Sequence, residues 1–222
     1  MSSVLTPQQA TTMLALQAAM NAKVDPEWVQ AAYPYLRAVV VEGAEAIEHH
    51  GWKWWKRQQC DLPQLQMELI DIWHFLLSEI LLRHQGNQQA ALQSVLAQST
   101  GQSSTTVTFD GQALDTATMN ALEKLELLIG LAAARRLELP LFASLMADCG
   151  LDWSVLYRQY VAKNVLNFFR QDHGYKEGQY RKIWQNREDN EHLVELMEAL
   201  PAHDADYPDQ LYQALKARYS LG

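Results

Sequence analysis

Apolar residues recur every three or four positions along nearly the whole chain, and this spacing limits the possible folds more than any other feature. After Pro63, for example, Leu65, Leu69, Ile72 and Leu76 repeat with the 3.6-residue period of an α-helix. Other segments show the same period and are bounded by Gly, Pro and Asp residues of the kind that begin or end helices. The sequence therefore predicts an all-α protein built as a helical bundle, with residues 1–222 forming a single domain.

Local start and stop signals give the predicted helices their approximate bounds. The stretch Thr6-Pro7-Gln8-Gln9 combines an N-cap residue, a proline at the first helical position and a glutamine that can bond back to the cap. Pro34 predicts either a kink or a restart. The polar stretch 99–111 predicts a surface loop or lid, with room for one short strand at 105–109. The predicted helices cover about 7–22, 26–51, 61–85, 87–97, 114–136, 140–149 and 152–170, and two more begin at 189 and near 208.

Composition excludes several classes of protein. A length of 222 residues allows one large core. The formal net charge of −8 argues against a nucleic-acid partner, because phosphate backbones are bound by clustered Lys and Arg. No segment approaches the ~20 apolar residues of a membrane span, and the N-terminus has no signal-peptide pattern. With only two cysteines in the chain as well, we expect a soluble cytoplasmic protein without a membrane partner.

Two consecutive predicted helices each carry a pair of carboxylates inside an apolar segment. Glu42 and Glu45 lie in VVVEGAEAI, and Glu68 and Asp71 lie in MELIDIWHFLL. Residues three apart share one helix face, and none of these acids has a Lys or Arg three or four positions away to neutralise it. Buried unpaired carboxylates are costly unless a cation lies between them, and Mg²⁺ prefers such oxygen ligands. The alternative is a solvated acidic stripe, since Glu48 continues the first pair.

A basic cluster near the C-terminus could complement such a site. Lys163, Asn167 and Arg170 lie four and three positions apart on one face of a predicted helix. The looped segment that follows adds further cations and aromatic residues: Tyr175, Lys176, Tyr180, Arg181 and Lys182. In an acidic protein this concentration of positive charge predicts an anion site, although cations also favour helix C-termini without any ligand.

Aromatic and amide side chains supply candidate contacts for a flat base. Trp54 belongs to a tryptophan group interleaved with lysines in HGWKWWK, which suits either core packing or stacking on a base. Gln17 and Asn21 lie four positions apart on the first predicted helix. Because amides donate and accept hydrogen bonds at once, they can read the edge of a nucleobase.

Together these stretches resemble the all-α NTP pyrophosphatase superfamily, and within it the dimeric dUTPases. The resemblance rests on the two acidic pairs and on LQAAMN, HGWKWWK, ELIDIWHFLLSE and KNVLNFFRQDHGYKEGQYRKIW followed by EDN, and it covers most of the chain outside 99–150. It implies Mg²⁺-dependent hydrolysis of dUTP, with dUDP as a candidate second substrate, to dUMP and pyrophosphate (or phosphate). It also implies two or more ions per site and a homodimer.

The resemblance further implies a role for each candidate residue. Glu42, Glu45, Glu68 and Asp71 would hold the metal ions, and Glu45 would also orient the attacking water. The phosphates would be bound by Lys163, Asn167, Arg170, Tyr175 and Lys182. The base and sugar would be bound by Gln17, Asn21, Trp54 and His74, with Trp54 stacking on uracil and His74 near the deoxyribose. The alternatives are a MazG-like or dCTP-directed pyrophosphatase on the same fold, and a non-catalytic helical regulatory dimer.

Overall fold

The structure is a computed structural model that describes residues 4–100, 105–200 and 206–220. These residues form ten α-helices and two small two-stranded antiparallel sheets, which confirms the all-α prediction. The first helices and strands are α1 (Pro7–Val24), α2 (Trp28–Ala31), α3 (Tyr35–His50), α4 (Leu62–Arg83), α5 (Gln88–Thr100), β1 (Thr106–Phe109) and β2 (Gln112–Asp115). The remaining ones are α6 (Ala121–Ala133), α7 (Leu139–Asp148), α8 (Trp153–Asp172), β3 (Ile183–Trp184), β4 (Arg187–Glu188), α9 (Asp189–Ala199) and α10 (Tyr207–Tyr219).

Capping explains where the main helices begin. The Thr6 hydroxyl accepts from the Gln9 amide at 3.2 Å, and the Gln9 side chain accepts from the Thr6 amide at 3.1 Å, so the predicted capping box starts α1. Asp152 caps α8 by a simple N-cap, in which its side chain accepts from the backbone amides of Ser154 and Val155. The predicted 26–51 helix is divided, because Ala32 takes a left-handed conformation (φ 49°) and α3 starts after Pro34. Pro34 therefore marks a restart rather than a kink.

The stretch predicted as a loop or lid contains a β-hairpin. Its first residues, Ser99 and Thr100, belong to α5, and residues 101–104 lie outside the described residues. In the hairpin, β1 pairs with β2 across Asp110 and Gly111, which both have positive φ, as the type I′ hairpin turn requires. Phe109 packs on α6 at Gly130, where an added Cβ would lie 3.0 Å from the ring. The helix predicted from 114 consequently begins later, as α6 at Ala121.

α4 is the central helix of the bundle. Leu69, Ile70, Ile72, Trp73 and Leu77 are all fully buried, so this helix is covered on nearly every side. α3 packs along α4 and also contacts α6, while α1 lies against α4, α5 and α8. This arrangement places the carboxylates of α3 and α4 close to the polar faces of α1 and α8.

In the described parts of the chain, no single helix combines the length and apolar character needed to cross a membrane, and α7 with α8 pass that test only as a pair bent by 98°.

Candidate active site

Three of the four predicted metal ligands meet where α3 packs on α4. Glu42, Glu68 and Asp71 each place a carboxylate oxygen within 4.8 Å of the others. Glu68 is buried, whereas Glu42 and Asp71 are partly exposed. Glu45, the fourth, is exposed and lines an open groove on α3 beside Glu48 and His49. The packing thus brings members of both sequence pairs into one acidic cluster, which we define as Glu42, Glu68 and Asp71.

The acidic cluster holds more negative charge than its protein neighbours compensate. Burial raises the pKa of both Glu42 and Glu68 to about 7, and the charges of Asp71 and of the neighbouring glutamates add to the effect. Lys163 Nζ lies 3.1 Å from Asp71 Oδ2 and supplies one positive charge, and His49 Nε2 lies 3.6 Å from Glu68 Oε1. Several carboxylate oxygens therefore lie together, and part of their negative charge is not neutralised by the protein. Such a set of ligands suits Mg²⁺. The residues present therefore fit the metal ion that the family resemblance implies.

The metal-free protein is expected to lose stability as the pH rises from about 4.5 to about 7. The unfolded carboxyls ionise near 4.5, whereas the folded Glu42 and Glu68 keep their protons up to about 7, so the unfolded state is favoured progressively across this window. Because Glu42 is partly solvated, we expect a combined loss of only about 1–3 kcal/mol. Urea unfolding in EDTA at pH 5 and pH 8 measures it.

The control for this prediction is the Glu42→Gln/Glu68→Gln double variant, whose unfolding free energy should vary less with pH in EDTA. Saturating Mg²⁺ at pH 8 should restore the stability of the wild-type protein but not that of the double variant, since metal ions bind the ionised carboxylates. An equal pH dependence in the two proteins would show that the acidic cluster does not hold these protons.

A cavity of about 730 Å³ lies beside the acidic cluster and shares Asp71 with it. α1, α4 and α8 form its walls, together with the segment after α1 and the turn after α8. Its polar lining residues include Gln17, Asn21, His74, Ser78, Asn167, Arg170, Tyr175 and Lys176. The cavity therefore joins the predicted base-binding residues of α1 and α4 to the predicted phosphate-binding residues of α8.

His74 lies in the cavity wall as a neutral side chain. Its ring stacks on Tyr160 with 4.1 Å between centroids, and burial lowers its pKa to about 3. Nδ1 lies 2.9 Å from Gln17 Oε1, an acceptor, so Nδ1 carries the hydrogen and Nε2 is left as an acceptor. Nε2 is buried and has no hydrogen-bond partner in the part of the chain that the structure describes.

The cations of α8 are held by acidic partners. Arg170 donates from Nε and Nη2 to the two carboxylate oxygens of Asp189, at 2.8 and 2.9 Å, and Nη1 lies 3.3 Å from Asn167 Oδ1. Asp189 is fully buried and also accepts from the Tyr180 hydroxyl at 2.9 Å. The guanidinium is thereby oriented at the cavity wall, with Tyr175 5.9 Å from it at the rim.

Trp54 and Lys182, two residues predicted to bind the substrate, lie away from both the cavity and the acidic cluster. Trp54 is 85% exposed and packs only on its neighbours Trp52 and Trp55 among the described aromatic rings. Lys182 is exposed and forms an ion pair with Glu188 at 3.1 Å. Neither side chain lines the cavity, so their proposed contacts with a ligand would require the 51–60 and 174–188 segments to move, or a second copy of the chain.

The cavity also has lining residues that the sequence reasoning did not assign. Phe75 follows His74 directly, and its position beside a candidate residue was an available signal. Tyr33 and Tyr35 flank Pro34 and reach the cavity only because the chain turns there. Asp189 orients Arg170 from 19 residues further along the chain. No helical spacing connects residues so far apart, so their contact could not be read from local periodicity.

A family model described as dUTPase matches residues 9–175. The chain belongs to the dUTPase family. This confirms the resemblance and the all-α class, and it makes the chain a dUTP diphosphatase-type enzyme with a nucleotide substrate. The matched region of this dUTPase contains the acidic cluster and most of the cavity wall, whereas Lys176, Lys182 and Asp189 lie beyond it. A search of curated proteins found no match.

Proposed function

We propose that the enzyme hydrolyses dUTP to dUMP and pyrophosphate in a Mg²⁺-dependent reaction, and accepts dUDP in the same site. The observation that carries this proposal is the position of Asp71, which belongs to the acidic cluster and also lines the cavity. A nucleotide with its base between α1 and α4 would extend its phosphates along α8 towards the acidic cluster. Cation-binding and base-binding groups are then within the span of one substrate.

The acidic cluster would hold the metal ions. Glu42, Glu68 and Asp71 have carboxylate oxygens close enough to bind one metal ion together. Glu45 lies one turn further along α3, and its exposed carboxylate would bind a second metal ion. When bound, Mg²⁺ would supply the positive charge that offsets these carboxylates and the phosphate oxygens. We propose two or more ions for each site.

The residues around the phosphates would orient and neutralise them. Lys163 and Arg170 supply charge, and the buried Asp189 keeps the Arg170 guanidinium in one orientation. Asn167 and Tyr175 would donate hydrogen bonds from the cavity wall, and Lys182 would join them by leaving Glu188. Glu45 would accept a hydrogen bond from the attacking water and hold it in line with the phosphorus.

The base and sugar would bind at the α1 end of the cavity. Asn21 and His74 each retain a buried polar atom that has no partner within the described residues, and both lie in the cavity wall. Asn21 would bond uracil, with Gln17 behind it, and His74 would accept from a deoxyribose hydroxyl. Trp54 would stack on the base from a rearranged 51–60 segment or from the second subunit of a homodimer. Light scattering tests the dimer, since the chain alone has a mass of 25.3 kDa.

A nucleotide panel tests the proposed reaction. We expect pyrophosphate release from dUTP with Mg²⁺, little with EDTA, and much slower turnover of dCTP and dTTP. Equal turnover across the panel would favour a MazG-like enzyme, and a preference for dCTP would favour the dCTP-directed alternative. The absence of any turnover would favour the regulatory dimer.

The Glu45→Gln variant is expected to lower kcat for dUTP by roughly 10²–10⁴-fold, the usual contribution of a positioned general base. Because Glu45 is exposed and belongs to no ion pair among the described residues, the far-UV circular dichroism and the melting temperature should stay those of the wild-type protein. The matched control is Glu126→Gln on α6, an exposed glutamate that likewise belongs to no ion pair among the described residues. Retained kcat in Glu45→Gln would remove this residue from the reaction.

A further inference from the structure

Gln17 forms the centre of a buried hydrogen-bond network at the α1 end of the cavity. Its Nε2 donates to Asn21 Oδ1 at 3.0 Å and to Ser78 Oγ at 2.8 Å. Its Oε1 accepts from the Tyr160 hydroxyl at 2.8 Å and from His74 Nδ1 at 2.9 Å. Both hydrogens and both lone pairs of the Gln17 amide are therefore engaged within the protein. Gln17 has no capacity left for a ligand.

Asn21 is engaged on one side only. Its Oδ1 accepts from Gln17 Nε2 and lies 3.1 Å from Ser78 Oγ, whose single hydrogen is shared between Asn21 Oδ1 and the His74 carbonyl oxygen at 3.0 Å. Its Nδ2 is buried and has no hydrogen-bond partner within the described residues. The residue is only 7% exposed, and it lines the cavity. A buried donor without a partner costs about 1–3 kcal/mol, so this amide is well placed for a ligand acceptor.

The network opposes rotation of the Asn21 amide. A half-turn of that amide alone would place its NH₂ group against the NH₂ group of Gln17, where two donors would meet. Gln17 cannot turn with it at no cost, because its oxygen would leave His74 Nδ1 and the Tyr160 hydroxyl, whose single hydrogen is shared with the Met13 carbonyl oxygen at 3.0 Å. Ser78 is fully buried and sits between the two amides, where its Oγ accepts from Gln17 Nε2 and its hydrogen is shared between Asn21 Oδ1 and the His74 carbonyl oxygen. Asn21 consequently presents an N–H donor, and not its carbonyl, to the cavity.

We propose that Gln17 and Ser78 are positioning residues that hold Asn21 as a donor, and that this fixed polarity is what separates uracil from cytosine. Uracil carries a carbonyl oxygen at C4, which accepts a hydrogen bond, whereas cytosine carries an amino group, which donates one. Against a fixed donor, uracil gains a hydrogen bond and cytosine brings two donors together. The inference rests on the proposed placement of the base between α1 and α4.

The first test is Ser78→Ala, assayed with dUTP and dCTP. Loss of the hydroxyl removes one of the two polar contacts of Asn21 Oδ1 and leaves Gln17 Nε2 as the other, so turning the Asn21 amide to offer its carbonyl to cytosine should cost less free energy. We expect kcat/KM for dCTP to rise by about tenfold or more, and the dUTP-to-dCTP ratio to fall accordingly. Structural damage alone would lower both values and would not raise the one for dCTP. Ser78→Thr, which keeps the hydroxyl, should restore the ratio.

A second variant distinguishes the contact of Asn21 with the base from the positioning of Asn21 by Gln17 and Ser78. Asn21→Leu removes the donor while keeping a similar volume, so kcat/KM for dUTP should fall by ~10²-fold and the preference should approach parity. Ser94→Ala is the control, because its hydroxyl contacts only Gln98 on α5 in the described structure. In Ser94→Ala the ratio of kcat/KM for dUTP to kcat/KM for dCTP should match that of the wild-type protein.

Each result bears on one claim. An unchanged dUTP-to-dCTP ratio in Ser78→Ala, with a changed ratio in Asn21→Leu, would overturn the positioning role and leave Asn21 as the reader. An unchanged ratio in both variants would overturn the whole inference. Failure of the wild-type protein to prefer dUTP would instead contradict the proposed function, and it would be seen before any variant is made.

Discussion

Replacing Glu68 with Gln is expected to lower dUTP turnover by on the order of 10³-fold, equivalent to about 4 kcal/mol of transition-state stabilisation. Glu68 is the most buried member of the acidic cluster, and the amide cannot supply the charge that holds Mg²⁺ between α3 and α4. Calorimetric titration with Mg²⁺ alone should show greatly weakened binding, which separates metal binding from catalysis. The near-identical shape of Gln should preserve the fold.

The same variant is expected to be more stable than the wild-type protein when metal is absent. At pH 8 in EDTA the wild-type protein holds ionised carboxylates close together, and replacing one with a neutral amide should raise the free energy of unfolding by about 1–2 kcal/mol. Glu79→Gln, on the same helix but paired with Arg83, is the matched control for both measurements. Unchanged Mg²⁺ affinity in Glu68→Gln would place the metal elsewhere.

Replacing Asp189 with Ala is expected to lower the free energy of unfolding by about 3–5 kcal/mol. Asp189 is fully buried and accepts from Arg170 twice and from Tyr180 once, so its removal leaves a mostly buried guanidinium without its counter-charge. Urea unfolding measures the loss. Glu195→Ala, which breaks two surface ion pairs, with Arg187 and with Arg218, should cost less than about 1 kcal/mol and serves as the control.

A double replacement separates the two roles of this ion pair. In Arg170→Met/Asp189→Leu, apolar side chains of suitable size replace both charges, and most of the lost stability should return. Turnover of dUTP should stay low, because Arg170 is a proposed phosphate ligand. If turnover recovers together with stability, the Arg170–Asp189 pair serves the fold alone. Since Asp189 lies outside residues 9–175, a large effect would also show that the enzyme depends on its C-terminal segment.

The hairpin and the divided second segment show the limits of local pattern. Helical period predicted a helix from 114, but β2 occupies Gln112–Asp115 because Asp110 and Gly111 form a turn that pairs it with β1. Similarly, Pro34 allowed a kink or a restart, and the left-handed conformation of Ala32 decides for a restart. In both places a single turn residue outweighs the apolar spacing around it.

The sequence by itself determined the all-α class, the capped start of α1, and which carboxylates and cations share a helix face. These features depend on residues within about four positions of one another, where the geometry of one helix fixes the distances. Tertiary packing alone decided that Asp71 joins Glu42 rather than Glu45, that Trp54 and Lys182 lie away from the cavity, and that Asp189 orients Arg170. Only packing could close the network from Gln17 to Ser78, because its members come from three helices and a hydrogen bond exists only where their side chains meet.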